Sequence, residues 1–431
     1  MAAVTCSWPG GCANRTAHPS LRCHHHRTAP RVAAEGEPVG ASPFGAVPGQ
    51  PRNWHPQGQR VPAADRHVTF RPAVIATIGR ADLRLSAQTM AETEEAVLAL
   101  HAADRDGATG GFTVPLLRTE SAASSKVEHI EVGQQFVGRA LAGLPTRQRS
   151  ALEVAANVAA LRRALELADG PITPSTFDDI HGRLVPDENW AGHVRTVQNW
   201  IGGSDYSPRD ARFVPPIPAD VPTAMHDLCV WVERTDVPAV AQAAIAHAHF
   251  EAIHPYVDGN GRVGRALTHL VLRRRHVVRD GIAPVSIAVL ADRDGYFDSL
   301  RRYEQGDADG FARSFARSCR TAAAASRRLQ RDLGALREEW RELPVVASAR
   351  ADATIRKLVE QQLEHPVTSA AQAAQRCGVS HEAARGALER LVDAGVLNRT
   401  TAARNLHIYE AHEVFAALDD LERRVASGVI A

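Results

Sequence analysis

The sequence of 431 residues has almost no lysine: Lys126 and Lys357 are the only two, so nearly all of its 50 basic side chains are arginine, a pattern of codon usage rather than of chemistry. It has almost no net charge either, at +1, which argues against a protein that coats polyanions by charge alone while leaving room for a local basic face. It has no run of about 18 apolar residues, the length a membrane-spanning helix needs. Its opening, MAAVTCSWPGGC, lacks the basic stretch and apolar core of a secretory signal. A cytoplasmic protein without membrane contact is therefore expected. No internal repeat of solenoid or propeller period occurs. Cysteine is sparse at six residues. Cys229, Cys319 and Cys377 stand singly, as suits reduced thiols, whereas Cys6, Cys12 and Cys23 cluster.

What is present is an ordinary globular composition, 44% hydrophobic and 23% charged, long enough for two to four units at roughly 100–200 residues each. Residues 1–27 are rich in Cys and His. Cys6, Cys12, Cys23 and His26 form a set of three thiolates and an imidazole that suits structural zinc, with His18, His24 and His25 as competing ligands, and the segment resembles small zinc-knuckle modules. Residues 28–65, rich in Pro, Gly, Ala and Arg, read as a flexible linker. Helix is predicted over 91–103, most of 119–282, 295–303 and 310–340, with Pro145 opening one helical segment. Residues 192–218, with Val, Trp, Ile, Gly, Tyr and several Pro, suit an extended flap or hairpin instead.

The informative stretch is His254-Pro255-Tyr256-Val257-Asp258-Gly259-Asn260-Gly261-Arg262-Val263-Gly264-Arg265. The residue before a proline is pushed out of the α region, so a helix arriving from residue 238 ends at His254 and places its imidazole over the following loop. Glycines let backbone approach a ligand closely, and the free N–H groups at a helix start attract anions. Arg262 and Arg265, three apart in the first turn, can reach one polyphosphate. Asp258 beside such a nest makes sense when Mg²⁺ sits between its carboxylate and the phosphates. His247 and His249 do not extend this into a zinc site. Five residues at 100° each put the rings of His249 and His254 about 140° apart, so His247 and His249 are read as packing or interhelical hydrogen-bonding groups.

This stretch closely resembles the H-x-F-x-(D/E)-G-N-G-R-x-x-R motif of the Fic family of protein AMPylases, with Tyr256 in place of the usual Phe as a buried anchor. The likeness extends over roughly residues 70–325. It implies a mainly α fold: a Fic-type helical core over 136–342 with a short β-hairpin flap, preceded by an N-terminal region (66–135) that carries an inhibitory helix. By the same resemblance His254 would be the general base, Asp258 the Mg²⁺ ligand, and Gly259, Asn260 and Gly261 the anion hole. Arg262 would contact the nucleotide phosphates and Arg265 the γ-phosphate. Gly264 and Tyr296 would complete the nucleotide site, Tyr296 in the adenine-side wall with the segment from Ser286 to Arg293. ATP with Mg²⁺ would be the cofactors. The intact Gly261 favours AMP transfer over the phosphoryl transfer of Doc-like kinases of the same fold. Upstream, Ser124-Ser125-Lys126-Val127-Glu128-His129 resembles the family's inhibitory motif (S/T)-x-x-x-E-(G/N). Ser124 and Glu128 share a helix face, and Glu128 would pair with Arg265 in the γ-phosphate site. His129 departs from the usual Gly or Asn.

Residues 343–431 resemble a winged helix-turn-helix. Helix is predicted over 348–364, 369–376 and 381–394, with Ser380 as N-cap and Gly395 closing the last, and a two-stranded wing over 396–409. Arg385, Arg390, Arg399 and Arg404 would face DNA, although Glu382 and Glu389 weaken that reading, and a dimer or protein contact is the alternative. The partners implied are a target protein paired at the 192–218 flap, or the chain itself by self-AMPylation. A deAMPylase and a nucleotide-sensing DNA-binding regulator are the two rival functions.

Overall fold

The computed structural model describes residues 22–23, 43–56, 61–107, 111–403 and 406–430. Of the expected zinc set, Cys6, Cys12 and His26 lie outside these residues, and only the backbone of Cys23 lies within them. No helix among the described residues is long and apolar enough to cross a membrane.

The chain is mainly helical. In order its helices are α1 (Ala87–Gly107), α2 (Thr113–Val127), α3 (Gln134–Leu141), α4 (Arg149–Leu167), α5 (Pro174–Leu184), α6 (Val221–Val232), α7 (Ala239–Ile253) and α8 (Asn260–Arg274). There follow α9 (Val285–Ala291), α10 (Arg293–Glu304), α11 (Ala308–Glu342), α12 (Pro344–Ala347), α13 (Thr354–Gln361), α14 (Ala370–Cys377), α15 (His381–Asp393) and α16 (His412–Ala426). The strands are short: β1 (Arg22–Cys23), β2 (Ala46–Pro48), β3 (Arg52–Trp54), β4 (Val68–Phe70), β5 (Ala73–Ile75), β6 (Trp200–Ile201), β7 (Val367–Ser369), β8 (Asn398–Ala403) and β9 (Leu406–Glu410).

Helix α7 is the centre. Its sequence, AVAQAAIAHAHFEAI, is apolar on every side, and such a helix is stable only when surrounded. Helices α6, α8, α1 and the 35-residue α11 surround it. Small alanines let these neighbours approach closely, and Leu267, Leu270 and Val271 of α8 fill the seam between α7 and α8. Two polar α7 side chains are satisfied sideways: His247 Nε2 meets the Tyr296 hydroxyl at 2.8 Å and His249 Nδ1 the Tyr303 hydroxyl at 3.0 Å, so both bond α10 as interhelical groups.

Four sequence expectations shift. Residues 43–56, read as linker, form short strands whose anchors are buried, Phe44 packing edge-on against Trp231 and Trp54 against Trp200, and Ala63–Asp65 form a 3-10 turn. Widely spaced aromatics in a Pro- and Gly-rich stretch carry no period, so their burial was invisible to pattern reading. The helix read from Pro145 starts at Arg149, and the one read over 348–364 is shorter, α13 starting after Ala353. The flap is mostly irregular, with β6 and a single bridge between Ile201 and Phe213.

After α11 the chain runs α12, α13, β7, α14, α15, then the β8–β9 hairpin, with strand order β7–β9–β8. Ser369 caps α14 in a capping box, Ser380 accepts from the Ala383 amide to cap α15, and Gly395 takes φ +80° just after α15. Helix α16 then folds back against α11, α9 and α3.

Candidate active site

Helix α7 ends at His254, which takes the left-handed conformation (φ 50°, ψ 60°) before Pro255. A non-glycine residue held there costs on the order of 1–3 kcal/mol and persists only where its surroundings enforce it. Arg195 supplies that enforcement. Its buried guanidinium donates to the His254 carbonyl at 2.8 Å, to Val197 O at 3.2 Å and to Pro216 O at 2.6 Å, while its own amide donates to Pro255 O at 2.9 Å. One side chain thus ties both ends of the flap to the exit of α7. Burial pulls its pKa down to about 9, still charged at neutral pH. Arg195→Lys keeps the charge but loses the planar fork. It is expected to cost about 2–4 kcal/mol, measurable as a lowered urea midpoint.

The loop from Tyr256 to Gly261 is closed by side chains. Asn260 Oδ1 accepts from the Tyr256 amide and Asn260 Nδ2 donates to the Tyr256 carbonyl, both at 2.9 Å. Its side-chain amide is therefore spent on the loop, and what it offers an anion is its backbone N–H. Asn199 from the flap also donates to Tyr256 O, at 3.1 Å. Tyr256 is fully buried, stacked on His181 with ring centroids 3.8 Å apart. Its hydroxyl donates to Asp178 at 2.9 Å, so the atom that distinguishes it from Phe has a partner. His181 Nδ1 accepts from the Gly192 amide, which leaves Nε2 as the protonated nitrogen facing Asp258 O at 3.1 Å.

Gly259 caps α8 at φ +82°, the left-handed conformation that favours glycine. A Cβ built on Gly261 would land on the Glu128 carboxylate. Glu128 therefore lies in the cradle over the first turn of α8. Its Oε1 accepts from Arg265 Nη2 at 2.9 Å; Arg265 also donates to Ser124 Oγ and Ser124 O, each at 2.9 Å. Burial works against the Arg265 charge, but the Glu128 carboxylate, with Tyr296 and Glu251 beside it, holds the guanidinium above its ordinary pKa. Arg262 is buried at 5% exposure, with its Nη2 3.6 Å from Asp258, which is itself half-exposed. The Arg262 Nε has no hydrogen-bond partner.

The exit of α2 explains the His129 departure. His129 sits at φ +59°, the backbone region in which Gly and Asn are at ease, and its ring contacts the Arg293 guanidinium. Gly264 is placed differently from expectation. It faces α7 rather than the cradle: a Cβ there would fall 2.9 Å from Glu251 Oε1 and from His247 Nδ1, so it is a close-packing glycine. Tyr296 is buried beneath the site with its hydroxyl on His247. Sequence reasoning missed Arg195, Asn199, His181 and Asp178, whose partners lie more than 50 residues away along the chain. Only the reading of 192–218 as a flap pointed near two of them.

Burial, foremost among the causes, lowers the pKa of His254 and His181 to about 4 and of His247 and His249 to about 3, whereas Glu251 is pushed up to about 8. A depressed histidine contributes no penalty above its unfolded pKa of about 6.5, and stability is lost as pH falls from there toward the folded value. Glu251 acts oppositely, its contribution fading as pH rises through about 8. Four protons outweigh one. The melting temperature should fall steeply between pH 7 and 5 and only gently between 7 and 8, as differential scanning fluorimetry would show. A flat profile from 7 to 5 would contradict the burial of these rings.

A model of the Fic/DOC family matches residues 171–272, the span from α5 to α8 that holds this loop. The stretch from α5 to α8 is a Fic/DOC-family domain. The chain is 31% identical over 170 residues to a protein adenylyltransferase of Caenorhabditis elegans, an overlap of 38% of this chain and 29% of that protein. It is 38% identical over 98 residues to a probable protein adenylyltransferase of Aquifex aeolicus, 22% of this chain and 28% of that one. The chain thus spans under a third of the length of these curated relatives. A solved Fic-family structure from Desulfovibrio desulfuricans aligns with 76% of this chain and 97% of its own, at 21% identity and TM-score 0.48.

Proposed function

We propose that this Fic protein transfers AMP from ATP to a Ser, Thr or Tyr hydroxyl of a target protein and is held back by its own Glu128. The observation that carries the reading is the position of the Glu128 carboxylate, an anion paired with Arg265 over the glycine cradle, where a nucleotide phosphate would otherwise bind. An anion already at home there marks the cradle as an anion site.

With the nucleotide bound, the backbone N–H groups of Gly259, Asn260 and Gly261 and the guanidinium groups of Arg262 and Arg265 orient the polyphosphate. Asp258 fits Mg²⁺: it is a half-exposed carboxylate beside the cradle, and that ion is commonly held by one carboxylate plus substrate phosphates. Bound there, Mg²⁺ would supply charge neutralisation on the phosphates. His254 Nε2 takes the proton of the target hydroxyl as its oxygen bonds the α-phosphorus. The bond to the α,β-bridging oxygen breaks, and pyrophosphate leaves. The flap segment 192–218 is the surface we assign to the target protein.

The test is transfer from ATP labelled at either end. Protein-bound label from α-labelled ATP and none from γ-labelled ATP is expected with Mg²⁺ present. The reverse pattern would replace AMP transfer with phosphoryl transfer.

The C-terminal unit we read as a winged helix that meets protein rather than DNA. Arg385 and Arg399 are engaged by Glu382 and Glu389, which leaves little free positive charge on α15 and β8. For the N-terminal unit we keep the zinc assignment to Cys6, Cys12, Cys23 and His26 as a proposal. Zinc release on thiol modification, one ion per chain, would test it.

A further inference from the structure

Helix α2, which carries the inhibitory residue at its end, is gripped on two opposite faces. One stripe, Glu120, Ser124 and Glu128, is spaced by four and faces the catalytic helix. Glu120 accepts from the Ser286 amide at 2.7 Å and lies 2.9 Å from His269 Nε2; Ser124 and Glu128 hold Arg265 as described. His269 and Arg265 are themselves four apart on α8, so the two helices are joined along two turns. The second stripe, Arg118, Ala122 and Lys126, is offset by two residues, about 200° around the helix, and faces away from the cradle.

That second stripe meets α16, the last helix of the C-terminal unit. Lys126, one of the two lysines in the sequence, places its ammonium 2.7 and 2.8 Å from the two carboxylate oxygens of Glu422. Both side chains are about three-quarters buried. Arg118 is buried with its guanidinium 5.3 Å from the Phe415 ring centroid, and it donates to Gln134 O at 3.0 Å. The charge of Asp419 favours the guanidinium against its burial. Phe415, Asp419 and Glu422 occupy one face of α16. The neighbouring α3 is tied to the same unit: Arg139 makes a bidentate pair with Glu410 at 2.8 and 2.9 Å, and Gln372 donates to Ala142 O at 2.6 Å.

We propose that the C-terminal unit sets the strength of autoinhibition, with Lys126 and Glu422 as positioning residues that hold α2, and through it Glu128, over the cradle. This rests on the reading of Glu128 as the brake. Lys126 lies two residues from Glu128, beyond reach of the cradle, so it acts only by fixing the helix. A coupling of this kind is a difference in stability between α2 seated and α2 displaced, and any contact present in the seated state alone contributes to it.

The experiment compares full-length wild type, Glu422→Lys, Lys126→Glu, the double charge swap, and Glu128→Gly as reference. It reads two things: incorporation from α-labelled ATP and hydrogen–deuterium exchange of the α2 amides. Each single reversal sets like charges face to face. It is expected to speed exchange in α2 and raise incorporation by about 3–10-fold, the range of a partly buried pair. The double swap should return both readouts toward wild type, which a merely misfolded variant would not do. Unchanged exchange in both single variants overturns the clamp whatever Glu128→Gly does. So does faster exchange without extra incorporation when Glu128→Gly is active. If Glu128→Gly itself fails to activate while exchange responds, the contact stands as a clamp on α2 and the inhibitory reading is the part that fails.

Discussion

Replacing Glu128 by glycine should raise AMP incorporation by about 30–150-fold, with most of the gain in apparent affinity for ATP. The estimate follows from what the residue does in the seated state. Its carboxylate pairs with a guanidinium that is 5% exposed, at 2.9 Å, and it fills the cradle above Gly261. A nucleotide phosphate must displace it. If the seated form is favoured by about 2–3 kcal/mol, only about one molecule in 30–150 is competent, and apparent affinity falls by the same factor. Removing the carboxylate removes that tax. Arg265 is not left stranded, because Ser124 still accepts two of its hydrogen bonds. The melting temperature of Glu128→Gly should therefore drop by a few degrees without ATP and recover when ATP is added. Incorporation with α-labelled ATP and the ATP dissociation constant are the two measurements. Unchanged incorporation would sink the brake. A variant that has lost the ability to remove AMP from a pre-modified target, where wild type does so, would point to deAMPylation with Glu128 as a working residue.

The site was legible in the sequence where chemistry and local geometry coincide. His254 before a proline, the glycine-flanked Asn260 and the two arginines are all fixed within twelve residues, and the loop follows from them. The pairing of Arg265 with Glu128 spans 137 residues and was accessible only through resemblance. The supports were not legible. Arg195 reaches the His254 carbonyl, Asn199 the Tyr256 carbonyl and His181 the Asp258 carbonyl, and backbone acceptors leave no mark on the sequence of their partners. Gly264 was misplaced for a related reason. A motif glycine is as readily a packing surface as a phosphate contact, and only the approach of Glu251 and His247 distinguishes the two. The fold followed the same rule. Helices marked by a strong period, such as α11, or by a long apolar run, such as α7, were found. The strands near Phe44 and Trp54 were missed, because their stability comes from two aromatic anchors docking on a distant surface.

Replacing His254 should lower incorporation by about 10²–10⁴-fold, the usual range for removing a general base, with ATP affinity unchanged. The geometry assigns the nitrogen. His254 Nδ1 faces Glu251 O at 3.2 Å, a carbonyl that can only accept, so the proton resides on Nδ1 and Nε2 keeps its lone pair. Burial, with the nearby charge of Arg195 adding to it, lowers the imidazole pKa to about 4, so the neutral form prevails through physiological pH. The sign then fixes the pH profile. Protonation removes the base, so kcat/KM should hold as pH falls from 7 through 6 and decline only on approaching the depressed value. An exposed histidine would begin to lose activity near 6.5. His254→Ala should abolish that acid limb along with most of the rate. Because His254 occupies the left-handed region, which alanine tolerates poorly, His254→Asn is the companion variant that keeps the backbone at ease. Measured on the Glu128→Gly background, both substitutions should be silent in ATP binding and severe in transfer. Weakened ATP binding of the same size as the loss in transfer would make His254 a nucleotide contact rather than a base. An acid limb centred near 6.5 would mean that the imidazole is more open to water than its 7% exposure allows.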